Sequence, residues 1–167
     1  MEVVTNPRSK LLLEQYHFML AWVDMYLDQL TDEELRSDII PGKNHGVWIL
    51  GHLVASDDTL SEYLGYGPTL FPETQRYAQG QPMLPVDECK PPTVLRDEWK
   101  QVCAKNEAIY QKLTDAELDE PHAFLEGDPE KDYFKTKQGV IINWSLHQVH
   151  HAGQLALLLA KFGRRLA

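Results

Sequence analysis

The chain has 167 residues, 43% of them hydrophobic and 25% charged, which is the composition of an ordinary globular domain. Its formal net charge of −9 argues against non-specific nucleic-acid binding and against docking to an anionic membrane surface, because both depend on basic patches. We therefore expect a single domain over residues 1–167 whose partners include neither nucleic acid nor a membrane.

The number of cysteines and the length of the apolar runs together predict the cellular compartment of the protein. The chain has two cysteines, Cys89 and Cys103, which do not form the framework of a disulfide-stapled secreted domain. The first residues lack the basic and apolar regions of a secretory signal. The longest purely apolar run, Leu155 to Ala160, is too short to span a bilayer. These observations favour a cytoplasmic protein.

A long amphipathic helix is predicted near the start of the chain. Asn6-Pro7 resembles a helix start, and the chain then carries apolar residues every three or four positions to about Leu30. The sequence Thr31-Asp-Glu-Glu has the pattern of a capping box and predicts one short helical turn before the break at Pro41-Gly42.

A second helix is expected from Asn44 or His45 to about Leu64. His52 lies at the edge of its buried stripe, four residues after Trp48, and by itself it is more simply explained as a partly exposed histidine. The next segment, residues 66–92, carries prolines that exclude a continuous helix: Pro68, Pro72, Pro82, Pro85, Pro91 and Pro92. Helical bundles with one long crossover of this kind are known, so the segment is compatible with a helical fold.

A third helix is predicted from an N-cap at Thr93 to about Leu113, and Asn106 interrupts its apolar stripe. Thr114-Asp-Ala-Glu repeats the capping-box pattern, so another short turn should follow. Residues 120–138 have the proline and glycine content of a loop. No segment alternates strongly enough to predict a strand, so we expect an all-α domain of four long helices.

The final helix, predicted between Gly139 and Gly163, carries the most informative residues of the chain. His147 and His151 lie four positions apart in an otherwise apolar stripe with Trp144. Residues at this spacing have Cβ atoms roughly 5–6 Å apart, close enough to bind one metal ion. His150 forms an alternative pair with His147, and core histidines with no ligand role remain the other explanation.

Polar side chains interrupt the apolar stripes near mid-length and predict a common pocket in the bundle. Such pockets are built from side chains on facing helices. The pocket residues that we expect are Trp48, Ser56, Asn106, Tyr110, Trp144 and His150. The alternative is that Ser56 and Asn106 face solvent or satisfy nearby backbone groups.

Two motifs resemble the DinB/YfiT-like metalloprotein superfamily: Trp48-Ile-Leu-Gly-His52-Leu on the second helix and His147-Gln-Val-His-His151-Ala-Gly-Gln154-Leu on the fourth. The resemblance covers nearly the whole chain. It implies an up-down-down-up four-helix bundle with a divalent metal ion held by His52, His147 and His151. It also implies a homodimer, and for related members a reaction that uses a low-molecular-weight thiol. One departure is Gln148, where many members carry an acidic residue.

Three neutral imidazoles with an open fourth position would form a catalytic rather than a closed structural metal site. Zinc or nickel is expected, since imidazole suits both. Such a site can activate a thiol or a water molecule against a small electrophilic substrate, which predicts a thiol transferase or a hydrolase. The catalytic residues themselves are not indicated, and the His-Glu-x-x-His signature of zinc proteases is absent. The alternatives are a bundle that binds a metal ion or small ligand without catalysis, and a purely structural role for the histidines.

Overall fold

The computed structural model describes residues 6–128 and 132–164. Within these ranges the chain is mainly helical and forms no strand. The helices are α1 (Pro7–Leu27), α2 (Asp32–Leu35), α3 (Gly46–Leu64), α4 (Pro92–Tyr110), α5 (Asp115–Leu118) and α6 (Lys137–Lys161). The prediction of an all-α fold with four long helices is confirmed.

The four long helices pack as an up-down-down-up bundle. One core cluster joins the C-terminal halves of α1 and α6 to the N-terminal halves of α3 and α4. A second cluster joins the opposite halves of the same helices. Helices α3 and α4 are therefore parallel to each other and antiparallel to α1 and α6. Helix α6 packs between α1 and α3, and α4 packs against the same two helices from the other side.

The parallel arrangement of α3 and α4 explains why the connection between them is long. After α3 ends at Leu64, the chain returns along the whole length of the bundle before α4 begins. Its only helical parts among the described residues are two 3₁₀ turns, Pro72–Tyr77 and Val86–Glu88. The buried carboxylate of Asp58 fixes the start of this crossover by accepting hydrogen bonds from the backbone N–H groups of Leu70 and Phe71.

The helix ends follow local sequence signals in most cases. Thr31 and Thr114 both form the predicted capping boxes, with Glu34 and Glu117 respectively. Helix α1 ends at Leu27, slightly before the predicted limit. None of the described helices has the length and apolar character that a bilayer crossing requires.

Two predicted helix starts are wrong. Thr93 is not an N-cap, because α4 begins at Pro92, where proline takes the first helical position. Gly139 does not precede α6 but lies in its first turn, after an N-cap formed by Thr136. A glycine is needed there because a Cβ atom would lie 2.0 Å from the carbonyl oxygen of Phe134.

Candidate metal centre

Three histidine side chains meet between α3 and α6. The Nε2 atom of His147 lies 2.9 Å from Nε2 of His52 and 3.0 Å from Nε2 of His151. His52 and His151 are buried, and His147 is partly exposed. The three side chains form a group whose nitrogen atoms lie within 4.8 Å of one another and could hold a metal ion.

The outer nitrogen atoms of two of these rings are held by hydrogen bonds. His52 Nδ1 lies 2.6 Å from the backbone carbonyl oxygen of Tyr77, and His151 Nδ1 lies 2.7 Å from Oε1 of Gln154. Both partners are acceptors, so each Nδ1 must carry the hydrogen. The Nε2 atoms of His52 and His151 are therefore unprotonated and direct their lone pairs towards His147. This is the tautomer that a metal ligand needs.

The surroundings keep the three rings neutral. Burial lowers the pKa of His147 to about 4 and that of His151 to about 3, and neighbouring histidines add to both shifts. Burial also lowers the pKa of His52, against an opposing effect of its hydrogen bond to Tyr77. Neutral imidazole is the form that binds cations, so the cluster is in its binding form at neutral pH.

The donor set fits a divalent cation better than it fits a hydrogen-bonded histidine cluster. One hydrogen on His147 Nε2 could satisfy only one of the two lone pairs that face it, and the other would stay unpaired. Nitrogen ligands bound at about 2.0–2.1 Å would lie roughly 3.0–3.4 Å from one another. The observed separations of 2.9 and 3.0 Å are close to these values, so the Nε2 atoms of His52 and His151 both lie at about the required distance from that of His147.

A small cavity of about 50 Å³ lies against His147. It is lined by Ser56, Gln79, Asn143, Trp144 and His147. In the described ranges, the hydroxyl of Ser56 and the side-chain amides of Gln79 and Asn143 form no hydrogen bond with the protein. The cavity therefore presents free donors and acceptors but no charged side chain.

The DinB superfamily model matches residues 15–155 of this sequence. The chain belongs to the DinB superfamily. A crystal structure of a conserved protein from Enterococcus faecalis is similar to this DinB-superfamily fold, with a TM-score of 0.71 over 98% of this chain and 99% of that one. The two sequences are 14% identical, so this likeness concerns the fold alone. No protein with a curated function matches the sequence significantly.

The structure of this DinB-superfamily protein brings together some of the residues predicted for the site and separates others. His52, His147 and His151 form the cluster, whereas His150 is exposed beside it. Trp48 stacks on His52, with ring centroids 4.8 Å apart.

Of the remaining predicted pocket residues, Ser56 and Trp144 line the cavity, but Asn106 and Tyr110 do not. Asn106 is fully buried and donates to the backbone carbonyl of Asp57. Tyr110 stacks on Tyr16 in the second core cluster.

Several supporting residues of this DinB-superfamily site were not predicted from the sequence. Tyr77 and Gln79 come from the crossover, where no periodic pattern exists to orient a side chain. Gln148 donates a hydrogen bond to the buried carboxylate of Asp57 and so ties α6 to α3 next to His147. Gln154 is part of the family-like motif, but its contact with His151 follows from the i, i+3 spacing only once the ring orientation is known.

Proposed function

We propose that this protein is a divalent-metal-dependent enzyme in which His52, His147 and His151 bind the metal ion. The main support is the convergence of three Nε2 atoms, two of them forced by Tyr77 and Gln154 into the unprotonated state. Zinc and nickel are the ions that we favour, because imidazole nitrogen suits both. Residues that hold the outer nitrogen of a ligating histidine, as Tyr77 and Gln154 do here, commonly contribute 10- to 100-fold to metal affinity.

A catalytic role for the ion is supported by the incomplete ligand set. Three protein ligands leave at least one coordination position for a water molecule or substrate, whereas structural zinc sites are closed by four. The cavity beside His147 offers an adjacent space for part of a small substrate. There, Ser56, Gln79 and Asn143 would orient a polar uncharged group by hydrogen bonds.

We infer a transfer reaction in which a low-molecular-weight thiol attacks a small electrophile. A divalent ion at this position would lower the pKa of a bound thiol or water molecule. The thiol would lose its proton to solvent, and its sulfur would form a bond to an electrophilic carbon of the second substrate. The bond from that carbon to its leaving group would break at the same time, and the leaving group would depart with the bonding electron pair and take up a proton from solvent. With water in place of the thiol, the same site would catalyse hydrolysis. The chain's own residues hold the ion and position the two substrates.

A non-catalytic metal-binding bundle is the second candidate. Within the described part of the chain, no carboxylate lines the cavity or joins the histidine cluster, so no residue there is an evident general base. A protein that only stores or senses a metal ion would need no such base. Both candidate functions require the same metal centre, but only the enzyme converts a substrate.

Metal analysis is the first test of this proposal. Untagged protein, purified without chelators or metal-affinity resin, should contain about one divalent ion per chain by plasma mass spectrometry. His151→Ala should lose the ion, whereas His150→Ala should retain it, because His150 lies outside the cluster. A wild-type protein that contains no metal and takes up neither zinc, nickel nor manganese would refute the proposal.

A thiol-consumption assay then separates the enzyme from the binding bundle. The loaded protein is incubated with several low-molecular-weight thiols and a panel of small electrophiles, and free thiol is measured over time. Metal-dependent consumption that disappears in His151→Ala supports the enzyme. Stoichiometric metal without conversion of any pair supports the binding bundle.

We also propose that the protein forms a homodimer through one face of α1 and α6. Large apolar side chains of both helices are exposed along this face: Leu11, Phe18, Trp22, Met25, Ile142, Leu146, Val149 and Leu157. A groove of about 460 Å³ runs between the two helices. Apolar patches of this extent are unusual on monomers, and a two-fold axis would cover the patch with its own copy.

A further inference from the structure

A groove of about 310 Å³ lies between α6 and the connection from α2 to α3. It is lined by Ile39, Ile40, Lys43, Asn44, Gln154 and Leu157, and it shares no lining residue with the cavity beside His147. Ile40 and Leu157 are 56% and 61% exposed, so the apolar walls are open to solvent. Apolar walls with a few polar groups at this volume are typical of a site for a small molecule.

Gln154 connects this groove to the candidate metal centre. Its Oε1 accepts the hydrogen bond from His151 Nδ1 at 2.7 Å, while its Nε2 has no partner in the described part of the chain. This Nε2 atom is not buried. Because the oxygen and the nitrogen of a carboxamide diverge, the N–H groups point away from His151 and are free to donate to a ligand in the groove.

The other polar groups of the groove favour an anion. Lys43 is exposed and forms no ion pair with any described residue, and the side-chain amide of Asn44 is also without a partner there. Lys161 brings a second ammonium group close, because it donates to the backbone carbonyl of Asp38 at 2.6 Å. The carboxylate of Asp38 accepts from a backbone N–H group and does not line the groove. A carboxylate group would therefore meet an unpaired cation and free amide donors.

We propose that this groove binds a small aliphatic carboxylate and that its binding tightens the metal centre. The carboxylate accepts a hydrogen bond from Gln154 Nε2 and pairs with Lys43, and its alkyl chain covers Ile40 and Leu157. An anion bonded to Nε2 polarises the carboxamide and holds Gln154 in the conformation that supports His151. The metal ion and the carboxylate then raise each other's affinity by the same factor. This coupling rests on the metal centre proposed above, whereas the groove exists without it.

The first test titrates hexanoate into the metal-free protein and follows ¹H–¹⁵N spectra. The side-chain amides of Gln154 and Asn44 and the backbone amide of Leu157 should show saturable shifts. Hexanol lacks the carboxylate and acetate lacks the chain, so both should bind much more weakly. Lys43→Ala should weaken hexanoate binding about fivefold, which corresponds to a well-formed exposed ion pair. The control Lys112→Ala, at an exposed lysine beyond the far end of α4, should leave it unchanged.

The second test measures zinc affinity by competition with a chromophoric chelator, with and without saturating hexanoate. We expect hexanoate to raise the zinc affinity of the wild type about fivefold. It should have no effect in Gln154→Leu, which lacks the shared carboxamide. Acetate at the same concentration offers the same carboxylate to the metal ion without the chain. An equal effect of acetate would show direct coordination to zinc and overturn the coupling.

The remaining outcomes separate the groove from the metal centre. No saturable shift of the groove resonances overturns the site. Shifts that follow protein concentration and not hexanoate would assign the groove to a second copy of the chain and also overturn it. Hexanoate binding with unchanged zinc affinity overturns the coupling. A wild type that takes up neither zinc, nickel nor manganese refutes the metal centre and the coupling, while hexanoate binding to the metal-free protein still supports the groove.

Discussion

The backbone carbonyl oxygen of Tyr77 accepts a hydrogen bond from Nδ1 of His52 at 2.6 Å. This contact makes the irregular crossover part of the candidate metal centre. The hydroxyl oxygen at the other end of Tyr77 accepts a hydrogen bond from the backbone N–H of Lys90, so the residue is held at both ends. The position of one crossover residue therefore fixes the orientation of one proposed ligand.

Gly51→Ala should disturb this contact. A Cβ atom at position 51 would lie 2.7 Å from Cδ1 of Tyr77, so the tyrosine must move and take its carbonyl away from His52. We expect metal affinity, measured by competition with a chromophoric chelator, to fall about 10- to 100-fold. The free energy of unfolding should fall by about 1–3 kcal/mol, measured with urea.

Gly153→Ala is the matched control for this substitution. It also adds a methyl group inside a long helix, but apart from the backbone of that helix no atom lies within 4 Å of the added group. It should leave metal affinity unchanged and stabilise α6 by up to about 1 kcal/mol. Wild-type metal affinity in Gly51→Ala would show that Tyr77 does not orient His52.

Gln154→Leu should weaken metal binding through His151. The substitution removes the Oε1 acceptor that holds His151 Nδ1 at 2.7 Å, and with it the preference for the correct tautomer. We expect about a tenfold loss of metal affinity by the same competition assay. Gln154→Glu keeps an acceptor at this position and should retain wild-type affinity or better. Equal affinities in the leucine and glutamate variants would contradict this role of Gln154.

Asp57 should give the protein an unusual dependence of stability on pH. Burial raises the pKa of Asp57 to about 7, against smaller opposing effects of Gln148 and Lys105. The pKa of Asp57 is thus higher in the folded state than in the unfolded state, so the neutral carboxyl group stabilises the fold relative to the ionised one. This stabilisation is fully present below about pH 3.8 and is lost as pH rises through 7.

Asp57→Asn removes this ionisation and should therefore gain stability relative to the wild type as pH rises. The difference in the free energy of unfolding should grow by up to about 1.4 kcal/mol per pH unit between pH 5 and 7, and level off above. Urea unfolding at pH 5, 6, 7 and 8 in the presence of chelator measures it. Parallel pH profiles for the two proteins would mean that Asp57 is ionised in the fold.

Phe18→Asp should dissociate the proposed dimer. Phe18 is 73% exposed on α1, in the centre of the apolar face shared with α6. A carboxylate there would lose its hydration on association, so we expect the dimer Kd to rise about 100-fold or more in sedimentation equilibrium. Val94→Asp places the same charge on an exposed valine of α4, outside this face, and should have no effect. A wild type that sediments as a monomer would contradict the dimer.

The helices were predictable from the sequence because their apolar periodicity and capping boxes are local signals. The histidine cluster was predictable in part. The spacing of His147 and His151 predicts that both could bind one metal ion, whereas the assignment of His52 depended on the family resemblance. The contacts of Tyr77 and Gln79 could not be predicted, because the crossover has no periodicity to orient them.

The contact between Asp57 and Gln148 could not be predicted from the sequence for a different reason. Asp57 and Asp58 are adjacent acidic residues, which usually indicates a solvated surface, yet both are buried. Their partners, Gln148 and Lys105, are far away in sequence. The contact with Asp57 gives Gln148 a structural role at the position where the resemblance implies an acidic residue. An amide donates to the Asp57 carboxyl group, whereas an acidic side chain would place two carboxyl groups against each other.

The 95 positions that separate His52 from His147 have a consequence for how the protein is made. During synthesis, the ribosome makes α1, α3 and α4 before it reaches His147 and His151. A nascent chain that ends before α6 therefore cannot assemble the three-histidine centre, because it carries only His52 of the three proposed ligands. Metal uptake at the proposed centre must therefore follow the packing of α6 against α3, so a loaded centre marks a chain in which these two helices have already come together.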